Sequence, residues 1–167
     1  MNLQTIIGPG EQAPDFDLPG ADGERHALSQ VLQHGPVLLT FFQLDCQACQ
    51  GSFLAWDAAA ETYAGDRFQL WAVSLDAERD AAQFWEKSGV SFPVLFDDGS
   101  SVEAYRLVST PTHVLIGTDG RVITSYDAFD RAAWNVMMTQ VAADLGVTPI
   151  ALGPEAGDFR PGCTIHQ

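Results

Sequence analysis

The sequence predicts an α/β fold in one domain, with a mixed central β-sheet flanked by helices. The apolar, β-prone run at 37–42 is typical of a strand that is buried on both faces, and the stretch at 68–75, which alternates and then runs apolar, predicts a second strand. Each run is followed by apolar residues at helical spacing, and this β-α-β-α order implies parallel strands. A later β-hairpin at 112–125 must be antiparallel. The two kinds of pairing together make the predicted sheet mixed.

The first thirty residues are dense in glycine, proline and aspartate, and they predict an extended arm with a short hairpin that turns at GADGE. The first 20 residues contain no Lys or Arg and no long apolar stretch. We therefore expect neither a signal peptide nor a membrane anchor, and the cytoplasm is the predicted location.

Three longer helices are expected, at about 46–63, 76–89 and 130–146, because each has apolar residues at three- and four-residue steps. Glycines at 89 and 146 are typical of helix C-termini. The side chains expected to face the core from these helices are Phe53, Trp56, Ala60, Tyr63, Phe84, Trp85, Trp134, Met137, Met138 and Val141.

The second half of the chain is expected to contain a hairpin, with strands at 112–117 and 121–125 and Asp119-Gly120 at its tip. One or two helical turns are expected at 100–107. The folded domain is predicted to span 1–146. The tail, 147–167, is rich in proline, glycine and aspartate and is predicted to be irregular.

Two cysteines, Cys46 and Cys49, follow the first apolar strand in the stretch FFQLDCQACQ. Cys46 falls where the strand ends and a helix begins, and unpaired backbone N–H groups at that place stabilise a thiolate. Cys49 lies about one helical turn later and is expected to point inward. Such a pair suits a two-step exchange, in which Cys46 attacks a disulfide and Cys49 resolves the mixed disulfide. Half of a metal site and two ordinary buried thiols are the alternatives.

The stretches APDFDLPGADGE, PVLLTFFQLDCQAC and STPTHVLIGTDGRVI resemble the N-terminal hairpin, the active-site strand and the cis-proline hairpin of thioredoxin-like redoxins. The resemblance is to the branch that includes cytochrome-maturation thiol-reductases and the alkyl hydroperoxide reductase/thiol-specific antioxidant relatives. It implies a thioredoxin-like fold with an N-terminal β-hairpin extension, and the activity of a protein thiol–disulfide oxidoreductase. It also implies that Pro111 is cis and packs against the dithiol, and that the Thr110 backbone pairs with an extended substrate.

The chain departs from that family at three positions near the cysteines. Asp45 stands where many members have Trp, while Thr40 and Ser52 stand where members carry proton-transfer carboxylates. Asp45 is therefore a candidate for proton handling at Cys49. The alternative is that Asp45 is a solvated or helix-capping residue.

The tail adds Cys163 and His166 in the stretch CTIH. We expect Cys163 to be an exposed tail thiol, and the alternative is a regulatory or intermolecular disulfide. Together with Cys46 and Cys49, these two residues would also complete a Cys₃His zinc set, which would make the chain a zinc-stabilised domain.

Two further functions share the same fold. A peroxiredoxin-like thiol peroxidase would need a P-x-x-x-T-x-x-C pattern, but Gln43 and Leu39 stand at the Thr and Pro positions relative to Cys46. A redox-inactive binding domain would keep the fold, and its two sulfurs would be equally reactive.

Composition limits the partners. The chain of 167 residues has a formal net charge of −14, so binding to nucleic acid or to an anionic membrane is not expected. A dithiol carries two electrons by itself, so no organic cofactor or metal is expected. The predicted partners are a protein disulfide or dithiol substrate and an electron donor.

Overall fold

The computed structural model describes residues 5–166. The helices and strands in chain order are β1 (Asp17–Pro19), β2 (Arg25–Ala27), α1 (Leu28–Val31), β3 (Val37–Phe42), α2 (Gln47–Gln50), α3 (Phe53–Tyr63), β4 (Gln69–Ser74), α4 (Glu78–Ser88), β5 (Val94–Phe96), α5 (Ser101–Ala104), β6 (Thr112–Ile116), β7 (Val122–Asp127), β8 (Phe129–Asp130), α6 (Arg131–Leu145) and β9 (Phe159–Arg160), with a 3-10 turn at Pro154–Ala156.

The central sheet has five strands in the order β5-β4-β3-β6-β7. Strand β3 pairs in parallel with β4 and antiparallel with β6, so the predicted mixed sheet is confirmed. The predicted N-terminal hairpin is also present, as the antiparallel pair of β1 and β2. Strand β3 is central and all six of its residues are buried, as its continuously apolar sequence indicates.

Alternate residues of β3 point to opposite faces of the sheet, and each face has its own hydrophobic cluster. Leu38 and Phe42 pack in the cluster that contains residues of α3 and α6. Leu39 and Phe41 pack in the other cluster, with Leu28 of α1. The sheet is therefore covered on both sides, and the loop that follows β3 is held at the carboxyl edge of the parallel strands.

The helix expected at 46–63 is two helices, because the chain makes a turn at Gly51 and Ser52 between α2 and α3. The Ser52 hydroxyl donates a hydrogen bond to the Ala48 carbonyl, 2.8 Å away, and the Ser52 N–H bonds the Cys49 carbonyl three residues back. Glycine has a low helix propensity, and a serine that bonds a backbone carbonyl weakens the regular ladder. The core list is also wrong in part, since Phe53, Phe84 and Trp85 are only partly buried.

The tail returns to the domain through several anchored contacts. The Tyr63 hydroxyl accepts a hydrogen bond from the N–H of Ile150, and Asn135 exchanges two hydrogen bonds with the backbone of Leu152. Strand β9 then pairs with β8. These contacts direct the last residues toward the loop that contains Cys46. No described helix has the length and apolar character needed to cross a membrane.

Candidate active site

Cys46 occupies the last position before α2, and its backbone is extended, with φ −103° and ψ 118°. The N–H of Cys49 donates to the Cys46 sulfur over 3.4 Å. The structure therefore brings Cys46 and Cys49 together one helical turn apart, as their spacing predicts. The residue that caps α2 is Cys46 itself, so the alternative in which Asp45 caps the helix is wrong.

The disulfide of this site joins Cys46 to Cys163, 117 residues later in the chain. Cys49 is free and buried. The expectation of an exposed free thiol at Cys163 is therefore wrong. Cys163 reaches Cys46 because of the route that the tail takes. Strand β9 pairs with β8, and this pairing places Cys163 beside Thr110.

Thr110 and Pro111 lie next to the Cys46 sulfur. The peptide bond between them is cis, and both residues are buried. The Thr110 N–H donates to the Cys163 carbonyl over 3.1 Å, and the Cys163 N–H donates to the Thr110 carbonyl over 2.8 Å. The Cys46 sulfur lies 3.4 Å from that same Thr110 carbonyl oxygen. A strand-like segment that presents a cysteine therefore lies against Thr110, within bonding distance of Cys46.

Cys49 is fully buried, and this burial raises the pKa of its thiol to about 11. The carboxylates of Asp76 and Asp45 add to the rise, because a nearby negative charge disfavours a thiolate. Cys49 is therefore a protonated thiol at neutral pH. It needs to lose that proton before it can attack a disulfide.

Gln43 is a site residue that the sequence analysis did not identify. Its buried side chain donates to the Thr110 hydroxyl over 2.8 Å and to the Thr164 carbonyl over 3.0 Å, and its oxygen accepts from the His166 N–H over 2.8 Å. The signal for it was a polar amide directly after a fully buried strand. Gln43 thus connects the loop before Cys46 to the tail on both sides of Ile165.

Asp76 is a second residue that the sequence analysis did not identify. It follows β4 at the carboxyl edge of the parallel strands and accepts a hydrogen bond from the Leu44 N–H over 2.8 Å. Partial burial raises its carboxyl pKa above the ordinary value. An acidic residue at the end of a buried parallel strand was the signal in the sequence.

Asp45 lies on the outer side of the same loop. Its carboxylate is 3.4 Å from the His166 imidazole, and both side chains are 69% exposed. The structure places Asp45 beside the tail, while Thr40 and Ser52 are both buried.

A buried hydrogen bond joins Trp56 of α3 to His113 of β6. The Trp56 indole N–H donates to Nε2 of His113 over 3.0 Å, and the His113 ring stacks on Tyr126 at 4.3 Å. Complete burial lowers the pKa of His113 to about 3. His113 is therefore a neutral packing residue.

Within residues 5–166, no group of three or more His, Cys, Asp or Glu side chains has the arrangement of a metal site. The Cys₃His alternative required the sulfurs of Cys46 and Cys163 as separate thiolate ligands, and the structure joins them in a disulfide.

Residues 9–125 match the AhpC/TSA family, so the chain belongs to that family. The thiol-disulfide oxidoreductase ResA of Bacillus subtilis is 31% identical over 119 residues, which cover 70% of this chain and 66% of that protein. A Chlorobium tepidum crystal structure, provisionally assigned as a thiol:disulfide interchange protein DsbE, is 32% identical with a TM-score of 0.75, and the match covers 84% of this chain and 99% of that one. The peroxidoxin BcpB of Mycobacterium tuberculosis is 25% identical with a TM-score of 0.66, over 84% of this chain and 97% of that one.

These matches confirm the predicted redoxin family and the thioredoxin-like fold. They also confirm the predicted enzyme class, since the relatives are thiol-disulfide oxidoreductases.

Proposed function

We propose that this chain exchanges disulfides with protein substrates, with Cys46 as the nucleophile and Cys49 as the resolving thiol. The observation that carries the proposal is the arrangement at Cys46, whose sulfur is bonded to a cysteine that pairs with the Thr110 backbone. A mixed disulfide with an extended substrate requires the same arrangement. Thr110 and Pro111 are accordingly proposed to form the substrate groove.

The proposed reaction has two steps. The Cys46 thiolate attacks one sulfur of a substrate disulfide, and the other substrate sulfur leaves as a thiolate. Cys49 then attacks the Cys46 sulfur, which releases the second substrate thiolate and leaves a Cys46–Cys49 disulfide. The substrate gains two electrons and the enzyme loses them. The reverse sequence oxidises a substrate dithiol.

The second step requires removal of the Cys49 proton. With the pKa of Cys49 at about 11, roughly one thiol in ten thousand is ionised at pH 7. Asp76 is the proposed acceptor, because it is partly buried, its carboxyl pKa is raised, and its charge acts on Cys49 more strongly than that of Asp45. Asp45, the acceptor predicted from the sequence, stays the alternative.

The proposed substrate is a protein segment in extended conformation. A pocket next to the loop before Cys46, separate from Thr110 and Pro111, is lined by two aromatic rings, three carboxylates and one ammonium group, which belong to Phe53, Phe84, Asp45, Asp76, Asp80 and Lys87. Its aromatic and acidic lining favours apolar or basic side chains next to the substrate cysteine. The electron donor is proposed to be a second thiol protein, and the direction of the reaction is set by the reduction potential.

The cytoplasm is kept as the proposed compartment, although a Cys46–Cys163 disulfide is more typical of an oxidising environment. Fractionation of cells that express the full chain, with thiols blocked at lysis, decides between the cytoplasm and an oxidising compartment. Recovery outside the cytoplasmic fraction would overturn the proposal.

A thiol peroxidase is the second candidate, because the peroxidoxin BcpB shares the fold at 25% identity. The residue three before Cys46 is Gln43, whose amide is already bonded to Thr110 and the tail. We therefore expect hydrogen peroxide to oxidise Cys46 no faster than it oxidises free cysteine. Much faster oxidation would support the peroxidase instead.

The experiment for the proposed function is a trapping comparison of two matched variants. Cys49→Ser/Cys163→Ser retains only Cys46, and Cys46→Ser/Cys163→Ser retains only Cys49. The first is expected to accumulate a mixed disulfide with a peptide that contains a disulfide, and the second is not, as read by mass spectrometry. Equal trapping by both variants would overturn the assignment of Cys46 as the nucleophile.

A further inference from the structure

The tail residues 161–166 lie in the place that the proposed function gives to the substrate. Cys163 makes two backbone hydrogen bonds with Thr110, in the antiparallel pattern of an added β-strand. Its side chain is bonded to Cys46. The tail therefore supplies both features of a substrate, an extended backbone and a cysteine sulfur.

Two more contacts extend the pairing beyond Cys163. The Gln43 amide bonds the Thr164 carbonyl and the His166 N–H, and it also bonds the Thr110 hydroxyl. The Asp45 carboxylate faces the His166 imidazole. The contacts fix the register of the tail, so that Cys163 is the residue that faces Cys46.

The tail is also anchored just before residue 161. Cys163 can therefore return to Cys46 after their disulfide has been broken. Arg131 is bonded to the Asp158 side chain, and β9 pairs with β8 just before residue 161. The segment free to move is therefore short. A cysteine on a short tether acts at a local concentration on the order of millimolar.

We propose that Cys163 is a third redox-active cysteine of this enzyme, and that the tail binds the substrate groove as an intramolecular substrate. This inference rests on the proposed function of Cys46 and Cys49. The chain then has two disulfide isomers, Cys46–Cys163 and Cys46–Cys49.

Interconversion of the isomers is a balanced exchange within one chain. The Cys49 thiol loses its proton and attacks the Cys46 sulfur, so that the Cys46–Cys49 bond forms and the Cys46–Cys163 bond breaks. Cys163 leaves as a thiolate and takes up a proton. The number of disulfides is unchanged, so no external oxidant or reductant is consumed.

This exchange couples enzyme chemistry to access to the groove. While Cys163 is bonded to Cys46, the tail covers the site, and Cys46 is only 1% exposed. When an external thiol peptide at ~0.1 mM attacks Cys46, Cys163 leaves as a thiolate. At millimolar local concentration this thiolate attacks the new mixed disulfide and expels the peptide thiolate, so net reaction with the peptide is slowed about tenfold. When Cys49 forms the disulfide, the tail is released and the groove is open to a protein substrate.

Disulfide mapping of the full chain tests the proposal. Each protein is equilibrated in glutathione buffers, quenched in acid, digested without reduction and analysed by mass spectrometry. Wild type is expected to contain the Cys46–Cys163 linkage, and Cys163→Ser only the Cys46–Cys49 linkage. Glu155→Gln, an exposed change elsewhere in the tail, is the control and is expected to match wild type.

A kinetic measurement on the same proteins completes the test. Reaction of the oxidised protein with a cysteine peptide at ~0.1 mM is expected to be about tenfold faster for Cys163→Ser than for wild type. The role of the tail would be overturned if oxidised wild type carried only the Cys46–Cys49 disulfide, with Cys163 open to alkylation, and if Cys163→Ser reacted at the wild-type rate. That outcome would leave the proposed function intact. Loss of the proposed function has a different signature, which is no disulfide at Cys46 in any variant.

Discussion

The two sides of the Cys46–Pro111 site are built differently. The front, formed by residues 43–46 and the tail 161–166, depends on hydrogen bonds between distant segments, and its outer pair of Asp45 and His166 is largely exposed. The back, formed by Trp56, His113 and Tyr126, is closely packed around a fully buried imidazole. Exposed polar contacts exchange easily with water or another peptide, whereas a buried aromatic cluster does not. From this difference we expect the front to open for substrate while the buried aromatic cluster at the back stays packed.

Replacement of the sulfurs that meet at the front is expected to have the largest effect. Cys46→Ser removes the atom shared by both disulfides, and turnover of a protein disulfide is expected to fall at least ~1,000-fold. Cys49→Ser is expected to keep the Cys46–Cys163 disulfide. Its turnover is expected to fall less than that of Cys46→Ser, because Cys163 can still bond to Cys46. An insulin-reduction assay measures both. A smaller loss in Cys46→Ser than in Cys49→Ser would contradict the assignment of the shared sulfur.

Asp76 accepts a hydrogen bond from the N–H of Leu44 in the loop before Cys46, and Asp76→Asn separates two roles for its charge. Removal of the charge is expected to lower the pKa of Cys49, since Asp76 raises it in the wild type. Loss of a proton acceptor is nevertheless expected to slow resolution by about 100-fold. Stopped-flow measurement of the resolution step, with alkylation of Cys49 against pH, records both effects. Faster resolution in the variant would show that Asp76 acts only as an unfavourable charge.

The back of the site is expected to respond to acid. The pKa of His113 is lowered to about 3 by burial, so the unfolded chain takes up a proton below its ordinary pKa of ~6.5 while the folded chain does not. The stability that neutral His113 contributes is present above that ordinary value and is lost as the pH falls toward 3. The free energy of unfolding is expected to fall by up to about 1.4 kcal/mol for each pH unit in this range.

Urea unfolding at several pH values measures this slope. His113→Gln keeps an acceptor for Trp56 and is expected to flatten the acid dependence, even though it lowers stability overall. His34→Gln, at an exposed histidine, is the matched control. An unchanged slope in His113→Gln would show that the imidazole titrates normally.

The smallest effect is expected at the exposed edge of the front. Asp45→Asn removes one partner of a pair in which both side chains are largely exposed, and such pairs contribute less than about 1 kcal/mol. The ratio of the two disulfide isomers in a glutathione buffer is therefore expected to change less than about fivefold. A loss of resolution rate as large as that in Asp76→Asn would restore Asp45 as the proton acceptor.

The sequence predicts the framework of the site and its cysteine pair better than the contacts that the tail makes there. Strand β3 was recognisable because five of its six residues are apolar. Cys46 and Pro111 were recognisable because each lies near a strand end, and Cys49 because it follows Cys46 by three residues. These are local signals of periodicity and spacing. The burial of Trp56 follows from such signals, since its helical spacing predicts a side chain that faces the core. The partners of Trp56 in the back of the site, His113 and Tyr126, were not predicted.

The placement of Cys163 depends on contacts that leave no such signal. The pair of β8 and β9 is two residues long, and 117 residues separate the two bonded cysteines. Gln43 and Asp76 have roles only because the tail and the loop after β3 reach them. The helix break at Gly51 and Ser52 was likewise hidden by the apolar pattern that continues across it.

The central claim is that Cys46 is the shared redox sulfur of this site, and a redox titration of the full chain tests it most directly. The protein is equilibrated across glutathione poises, its thiols are alkylated after an acid quench, and each cysteine is scored by mass spectrometry. The account predicts a two-electron transition in which Cys46 loses its free thiol, while Cys49 and Cys163 each do so only in part. A Cys46 that remains alkylatable at every poise would contradict it.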